Sequence, residues 1–304
     1  MRVSAIDIGT NTLLLLIADV GPGGTITPVY NGHIIARLGR GVDRNGVILP
    51  ETVKRVLAHL SDYRRLSDEH KADVLVACGT SALRDAANRE EFIAGVQRQC
   101  GFTVRILSGD EEAELTYLGA VSDHLPENRN GQFCVLDIGG GSTEITEGTG
   151  ETIGRRTSVD VGSVRLTERI LTSSPPEPGQ LAKAAEFIRS HLGSLSRCDP
   201  HATVIGVAGT VTTLAAMQLN LPRFQPERVH GTRLGRNSIG EAYEMLKTLT
   251  VDQIRSHRQI AAGREDILLA GILILMEAMD VLGVGSIRAS DRGLRYGMAL
   301  KAGG

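Results

Sequence analysis

The stretch Phe133-Cys134-Val135-Leu136-Asp137-Ile138-Gly139-Gly140-Gly141-Ser142-Thr143-Glu144-Ile145-Thr146 reads as an apolar strand ending on an aspartate, a turn of glycines and hydroxyl residues, and a returning strand. About 130 residues earlier the same grammar appears in Val3-Ser4-Ala5-Ile6-Asp7-Ile8-Gly9-Thr10-Asn11-Thr12, followed by an apolar run over residues 13–18. A unit repeated at this distance predicts two similar domains, each offering one loop to a shared cleft.

Around these loops the first half alternates. Val53, Val56, Leu57, Leu60, Tyr63 and Leu66 recur at helical spacing after Pro50, a favourable first-turn residue. Residues 74–77 read as a buried strand, the region of Phe92 and Val96 as a helix, and residues 104–107 as the next strand. Strand, helix, strand, helix implies an α/β sheet. In the second half, residues 152–161 read as one or two strands and residues 181–195 as a helix. Residues 204–210 read as a strand entering a Gly turn, with a helix to about Met217. Residues 222–237 carry Arg223, Arg228, Arg233 and Arg236 among few apolar residues and are expected to form an exposed cationic loop. Ser290 is expected to cap a C-terminal helix whose Gly293 and Gly297 provide a small face for close packing.

Glycine lets backbone N–H groups approach phosphate oxygens, and hydroxyls add donors without bulk. Gly139, Gly140, Gly141, Ser142 and Thr143 therefore make a plausible phosphate nest. Gly9, Thr10, Asn11 and Thr12 make a second, and the turn around Gly209 and Thr210 a third. A strand-end aspartate beside such a nest repels phosphate unless a cation intervenes. Mg²⁺ suits that place, since it takes a few carboxylates, phosphate oxygens and its own waters. Asp7 and Asp137 are the candidate ligands, with Mn²⁺ as the alternative metal. Each loop has a competing reading as a tight hairpin with a structural aspartate.

In Ser108-Gly109-Asp110-Glu111-Glu112, Ser108 and Glu111 form a capping box, leaving Glu112 to point elsewhere on the first turn. A carboxylate there could deprotonate an attacking water. Locally the structural role is the favoured one, because first-turn acids complement the helix dipole. Arg84, one turn into the helix after Gly79-Thr80-Ser81, is either a fork for terminal phosphate oxygens or half of an ion pair with Asp85 or another acid.

Composition sets the outer bounds. A formal charge of −2 gives no basic footprint, so a nucleic-acid partner is not implied. Two apolar runs, residues 13–20 and 267–276, are shorter than the ~20 residues a bilayer requires, so no membrane partner is implied either. Cys78, Cys100, Cys134 and Cys198 are scattered without metal-ligand spacing, as expected of reduced, buried thiols in the cytoplasm. The eight histidines show no metal-ligand spacing.

Together these residues resemble the exopolyphosphatase and guanosine pentaphosphate phosphohydrolase (Ppx/GppA) family almost end to end. The resemblance is carried by Asp7-Ile8-Gly9-Thr10-Asn11, Gly79-Thr80-Ser81-Ala82-Leu83-Arg84, Leu107-Ser108-Gly109-Asp110-Glu111-Glu112-Ala113, Asp137-Ile138-Gly139-Gly140-Gly141-Ser142-Thr143-Glu144, Ala208-Gly209-Thr210 and Ser290-Asp291-Arg292-Gly293-Leu294-Arg295. It implies an α/β fold of two actin-like, ribonuclease H-like domains around a cleft, as in actin, sugar kinases and heat-shock chaperone ATPases. The implied boundaries are residues 1–123 plus 290–304, and residues 124–289. It further implies that Glu112 is the catalytic base, with Arg84 on the end phosphate, and that Asp7, Asp137 and Glu144 lie at the metal site. A homodimer is usual among relatives. Long members carry extra C-terminal helical domains that this sequence, ending near residue 304, lacks, so short polyphosphate chains are the expected substrate. Guanosine pentaphosphate is the rival substrate; an ATP-dependent kinase of the same fold and a non-catalytic phosphate-chain sensor are the more distant alternatives.

Overall fold

The computed structural model describes residues 1–193, 195–223 and 225–304, with Pro226 by its backbone alone. Among them the chain separates into two compact units, Met1–Ser122 joined by Arg292–Gly304, and Asp123–Asp291.

The first unit is built on strands β1 (Arg2–Ile8), β2 (Thr12–Val20), β3 (Ile26–Ile35), β4 (Val74–Gly79) and β5 (Arg105–Ile106) in the order β3-β2-β1-β4-β5. The first three form an antiparallel meander, and β4 and β5 add in parallel after helical crossovers. Alternation along β1 covers both faces. Ile6 and Ile8 pack with Val56, Leu60, Phe92 and Val96, whereas Val3 and Ala5 pack with Leu16, Leu115, Tyr296 and Met298. Full burial of such a side chain contributes ~1.5–3 kcal/mol.

The C-terminal helix Leu294–Gly303 lies against the helix Gly109–Val121 in this unit. The approach is backbone to backbone. A Cβ on Gly119 would meet Gly293 O and lie 2.8 Å from Gly297 N, and one on Gly297 would lie 2.6 Å from the Leu115 carbonyl carbon. The small face expected from Gly293 and Gly297 is therefore real. Its helix, however, begins at Leu294 with Gly293 as N-cap and no side-chain cap. Ser290 instead donates its N–H to Gly206 O at 2.8 Å.

The second unit adds β6 (Gln132–Ile138), β7 (Thr143–Thr149), β8 (Thr152–Val159), β9 (Thr203–Val207), β10 (Arg233–Gly235) and β11 (Ser286–Ala289), ordered β10-β11-β9-β6-β7-β8. Again an antiparallel meander, β6-β7-β8, is extended in parallel through β9 and β11. Leu136, Ile138 and Ile145 pack with Ile188, Leu214 and Leu275. The apolar run at residues 267–276 falls on the buried helix Leu268–Leu282 and its N-cap Ile267, and among the described residues no helix is long and apolar enough to cross a membrane.

Several local expectations are corrected. Residues 152–161 give one strand, ending at Val159. The helix expected over residues 181–195 is Pro178–Leu192, and Ser194 lies outside the described residues. The cationic loop at residues 222–237, within which Phe224 also lies outside the described residues, contains the helix Pro226–Val229, strand β10 and the start of the helix Arg236–Leu246. Buried Val229 and Leu234 anchor it to the core, and Arg236 is forked onto Asp280 at 2.9 and 3.0 Å. Few apolar residues suffice when each is fully used.

Candidate active site

Both glycine turns are made in the same way. Gly9 N–H donates to Thr12 O at 3.1 Å and Gly139 N–H to Ser142 O at 3.0 Å. A Cβ at either glycine would press on that acceptor, at 2.8 Å from Thr12 O and 3.0 Å from Ser142 O. The duplication read from the sequence is thus a duplicated hairpin in which a four-residue turn follows the strand-end aspartate.

In the first unit Asp7 shares the face of β1 that carries Val3 and Ala5, the face covered by the helix Gly109–Val121. The capping box on that helix is present: Ser108 N–H donates to Glu111 Oε2 at 2.9 Å and Glu111 N–H to Ser108 Oγ at 3.2 Å. Glu111, which also pairs with Arg105, is held below the usual carboxylate range by these bonds. Glu112 is buried, 8% exposed, and Arg84 Nη1 donates to its Oε2 at 2.6 Å and to Leu107 O at 3.0 Å. Desolvation raises the Glu112 pKa, and Arg84 opposes that rise without cancelling it. The two residues picked separately from sequence are therefore one ion pair. Arg84 is half-buried, and Glu112 is an acid partner for it. Thr10 and Asn11 are buried, and their carbonyls accept from Gly39 N–H at 2.7 Å and Arg37 N–H at 2.8 Å.

In the second unit Asp137 and Glu144 are directly paired across β6 and β7, so both carboxylates sit on one face of the sheet. Glu144 accepts from Ser158 Oγ at 2.8 Å. The loop between them is clamped from behind by the short helix Ser163–Arg169. Ser163 N–H donates to Gly139 O at 3.0 Å, Val164 and Arg165 N–H to Gly140 O at 2.8 and 3.1 Å, and Arg165 Nε to Gly141 O at 2.9 Å. Three successive carbonyls are thereby occupied, while the N–H groups of Gly140 and Gly141 donate to no backbone carbonyl among the described residues. That is the polarity an anion requires. Thr143 departs from expectation: its Oγ1 donates to Val161 O at 2.6 Å, so its hydroxyl proton is committed to the core rather than to the nest. Ser142 is buried beside it.

Gly209 and Thr210 also differ from their reading. They are not a loop but the first turn of the helix Ala208–Gln218, entered through Ala208 in the left-handed region at φ 68°. A non-glycine residue there carries strain. Over this turn lies Arg264, which sequence reasoning missed: a Cβ on Gly209 would stand 2.5 Å from its Nη2. Burial lowers the Arg264 pKa to about 10. A helix N-terminus and a half-buried arginine together form a second anion-attracting corner of this unit. The signal was the polar run Gly263-Arg264-Glu265-Asp266 immediately before a buried helix, which no periodicity explains.

Within the second unit the cross-strand pair Asp137 and Glu144 offers hard carboxylate oxygens, the donor type that Mg²⁺ takes.

Comparison with known proteins bears on these observations. A profile of the Ppx/GppA phosphatase family matches residues 16–302. Exopolyphosphatase 2 of Mycobacterium tuberculosis is 35% identical over 318 aligned residues, covering 100% of this chain and 99% of that protein. A crystal structure of the Aquifex aeolicus member of the Ppx/GppA family superposes with a TM-score of 0.83 at 31% identity, covering 99% of this chain and 97% of that one. An exopolyphosphatase from Cytophaga hutchinsonii, 24% identical, shares the fold with a TM-score of 0.88 over 99% of this chain and 98% of that one.

Proposed function

The chain belongs to the Ppx/GppA phosphatase family and is a phosphoanhydride hydrolase, and we propose that it releases terminal orthophosphate from inorganic polyphosphate through Glu112 and Arg84. Its α/β fold is the actin-like one that the sequence resemblance implied. The observation that carries the residue roles is the buried Glu112–Arg84 pair at the start of the helix Gly109–Val121.

At rest Arg84 satisfies the Glu112 carboxylate. A terminal phosphate competes for the same guanidinium, whose fork suits phosphate oxygens as well as carboxylate. Transfer of that hydrogen bond to phosphate leaves Glu112 desolvated and near negative charge, both of which strengthen it as a base. Glu112 then accepts a proton from water as the water attacks phosphorus. The amides of Gly140 and Gly141 and the corner of Gly209, Thr210 and Arg264 bind phosphate oxygens in the second unit, and Gly9, Thr10, Asn11 and Thr12 do so in the first. Asp7 in the first unit, and Asp137 with Glu144 in the second, are the carboxylates that would take Mg²⁺, which would neutralise part of the phosphate charge. The four free, buried cysteines suit a reducing cytoplasm, and a homodimer is the assembly that the resemblance implies.

The test is phosphate release from short and long polyphosphate and from guanosine pentaphosphate, with and without Mg²⁺, for the wild type and Glu112→Gln. The expected result is Mg²⁺-dependent release from polyphosphate, with turnover down at least ~10²-fold in the variant and substrate binding retained. Near wild-type turnover in Glu112→Gln removes it from the base role. Release mainly from guanosine pentaphosphate transfers the reading to that substrate.

A further inference from the structure

Cys134 and Cys198 are 64 positions apart in the sequence, yet they meet in the second unit beside Glu147. The two sulfurs and a Glu147 carboxylate oxygen all lie within 4.8 Å of one another. The backbone accounts for the meeting. Cys134 and Glu147 are direct cross-strand partners in the antiparallel β6–β7 pair, so their side chains share one face. Arg155 is the partner of Glu147 on β8 and extends the same row. Cys198 reaches the row from the segment before β9, where its N–H is fixed on Leu282 O at 2.9 Å.

We propose that Cys134, Cys198 and Glu147 form a zinc site that ties β6, β7 and the segment before β9 together. Two thiolates and one carboxylate are a ligand set that Zn²⁺ accepts, and soft sulfur discriminates against Mg²⁺. Zn–S bonds of about 2.3 Å at a tetrahedral angle place two sulfurs ~3.8 Å apart, which the separations in this cluster allow with small rotamer adjustments. Charge also balances. Zn²⁺ with two thiolates and a carboxylate carries one net negative charge, and Arg155 supplies the compensating positive one. Arg155 Nη2 bonds Glu147 Oε1 at 2.6 Å, which leaves Oε2 for the metal and makes Arg155 the group that orients the ligand. Cys134 is fully buried and Cys198 nearly so, while Glu147 is half-buried, so the side through which metal and a completing water arrive is the Glu147 side. Binding replaces two thiol protons, which leave to solvent, so affinity rises with pH.

This cluster is not the phosphate site. Cys134 precedes Asp137 by three residues on β6, about 10 Å along the strand, and the odd spacing puts the two on opposite faces of the sheet. Cys134 and Cys198 belong instead to the apolar core that holds Leu136 and Ile138. The role is therefore structural.

The experiment is titration of the purified full chain, reduced and metal-free, with Co²⁺ as a spectroscopic stand-in and then with Zn²⁺. The expected result is a near-ultraviolet thiolate-to-cobalt charge-transfer band saturating at one equivalent and bleached by Zn²⁺. Cys134→Ser/Cys198→Ser should lose the band, and Glu147→Gln should bind at least tenfold more weakly. Mg²⁺-dependent phosphatase activity should persist in both, since none of these residues touches the phosphate loops. Because core cysteine variants can fold poorly, a second measurement uses the wild type alone: one equivalent of Zn²⁺ should slow alkylation of Cys134 and Cys198, read by peptide mass spectrometry, more than that of Cys78 and Cys100. Absence of the thiolate band, an unchanged band in the double variant, or equal alkylation rates with and without Zn²⁺ overturns the proposal. So does conversion of the pair to a disulfide by peroxide with no metal bound beforehand or after re-reduction.

Discussion

Gly162→Ala isolates the contribution of the clamp behind the second phosphate loop. Gly162 has ordinary extended backbone, φ −141° and ψ 161°, so alanine brings no conformational strain of its own. The obstacle is steric. Its Cβ would meet the carbonyl group of Gly140 and stand 2.5 Å from the Gly141 carbonyl carbon, where ordinary contact begins at 3.4 Å. Loop and helix must therefore separate by roughly 0.9 Å, stretching the five bonds that Ser163, Val164 and Arg165 make to the carbonyls of Gly139, Gly140 and Gly141. Overpacking of this kind costs about 1–3 kcal/mol of stability. A misplacement of about 1 Å at a phosphate-positioning group costs on the order of 10²-fold in rate, equivalent to ~2.7 kcal/mol of barrier. The assay is phosphate release from polyphosphate, kcat and KM separately, alongside a thermal melt. Gly179→Ala is the control, because a Cβ there meets nothing within 4 Å. The expected pattern is a folded Gly162→Ala with activity reduced about 10²-fold and an unaffected control. Gly162→Ala that is folded and within threefold of wild type would refute the claim that this clamp positions the nest.

Arg84→Met removes the group that opposes the desolvation of Glu112, so the Glu112 pKa should climb further and the acidic limb of kcat/KM should move to higher pH; an unmoved limb in the residual activity separates Arg84 from Glu112. His230, bonded to Asp123 at 2.6 Å and Asp291 at 2.9 Å, has its pKa raised to about 9 by those two carboxylates. The protonated form is the stabilised one, so its contribution is complete below about pH 6.5 and is lost as pH rises through about 9. With the ring partly exposed, solvent screening reduces that contribution to about 1–2 kcal/mol. Urea unfolding of His230→Gln should show this deficit at pH 6 and little of it at pH 10, and an equal deficit at both values would deny the charged clasp. Arg264→Ala should weaken phosphate-chain binding, visible in KM, because the Gly209 corner loses its cation; KM unchanged in a folded variant would leave Arg264 a packing residue.

The duplicated aspartate-to-glycine hairpin was legible because it is local: strand, turn and strand lie within about 20 consecutive residues, and the same i to i+3 bond closes both turns. The capping box at Ser108 and Glu111 was legible for the same reason. Glu112 marks the limit. Its neighbours in sequence favour a dipole-complementing acid over a buried base, and what sets it apart, Arg84 at 2.6 Å, comes from 28 residues away. Thr143 shows the converse. Counting hydroxyls in a glycine loop makes it a donor, but it is the first residue of β7, and strand geometry turns its Oγ1 to Val161. The arginine-rich stretch looked unanchored because hydrophobic periodicity weighs residues in number, whereas Val229 and Leu234 hold it by being completely buried.

The two hairpins, alike in backbone, are surrounded by different chemistry, and that difference accounts for what sequence repetition could not supply. Beside the first, the helix Gly109–Val121 brings a buried acid whose pKa is raised and whose counter-ion can be drawn to phosphate. Beside the second, the helices Ser163–Arg169 and Ala208–Gln218 bring carbonyl clamps and a strained helix entry, with the half-buried Arg264 over its first turn. A repeated anion-binding turn gives two ways to hold phosphate but no way to hydrolyse it. Hydrolysis requires one half to depart from the repeat, and in the mechanism we propose Glu112 with Arg84 is that departure. It follows that exchanging residues of one glycine loop for those of the other should alter binding more than it alters the pH dependence of turnover, because the titrating group belongs to neither loop.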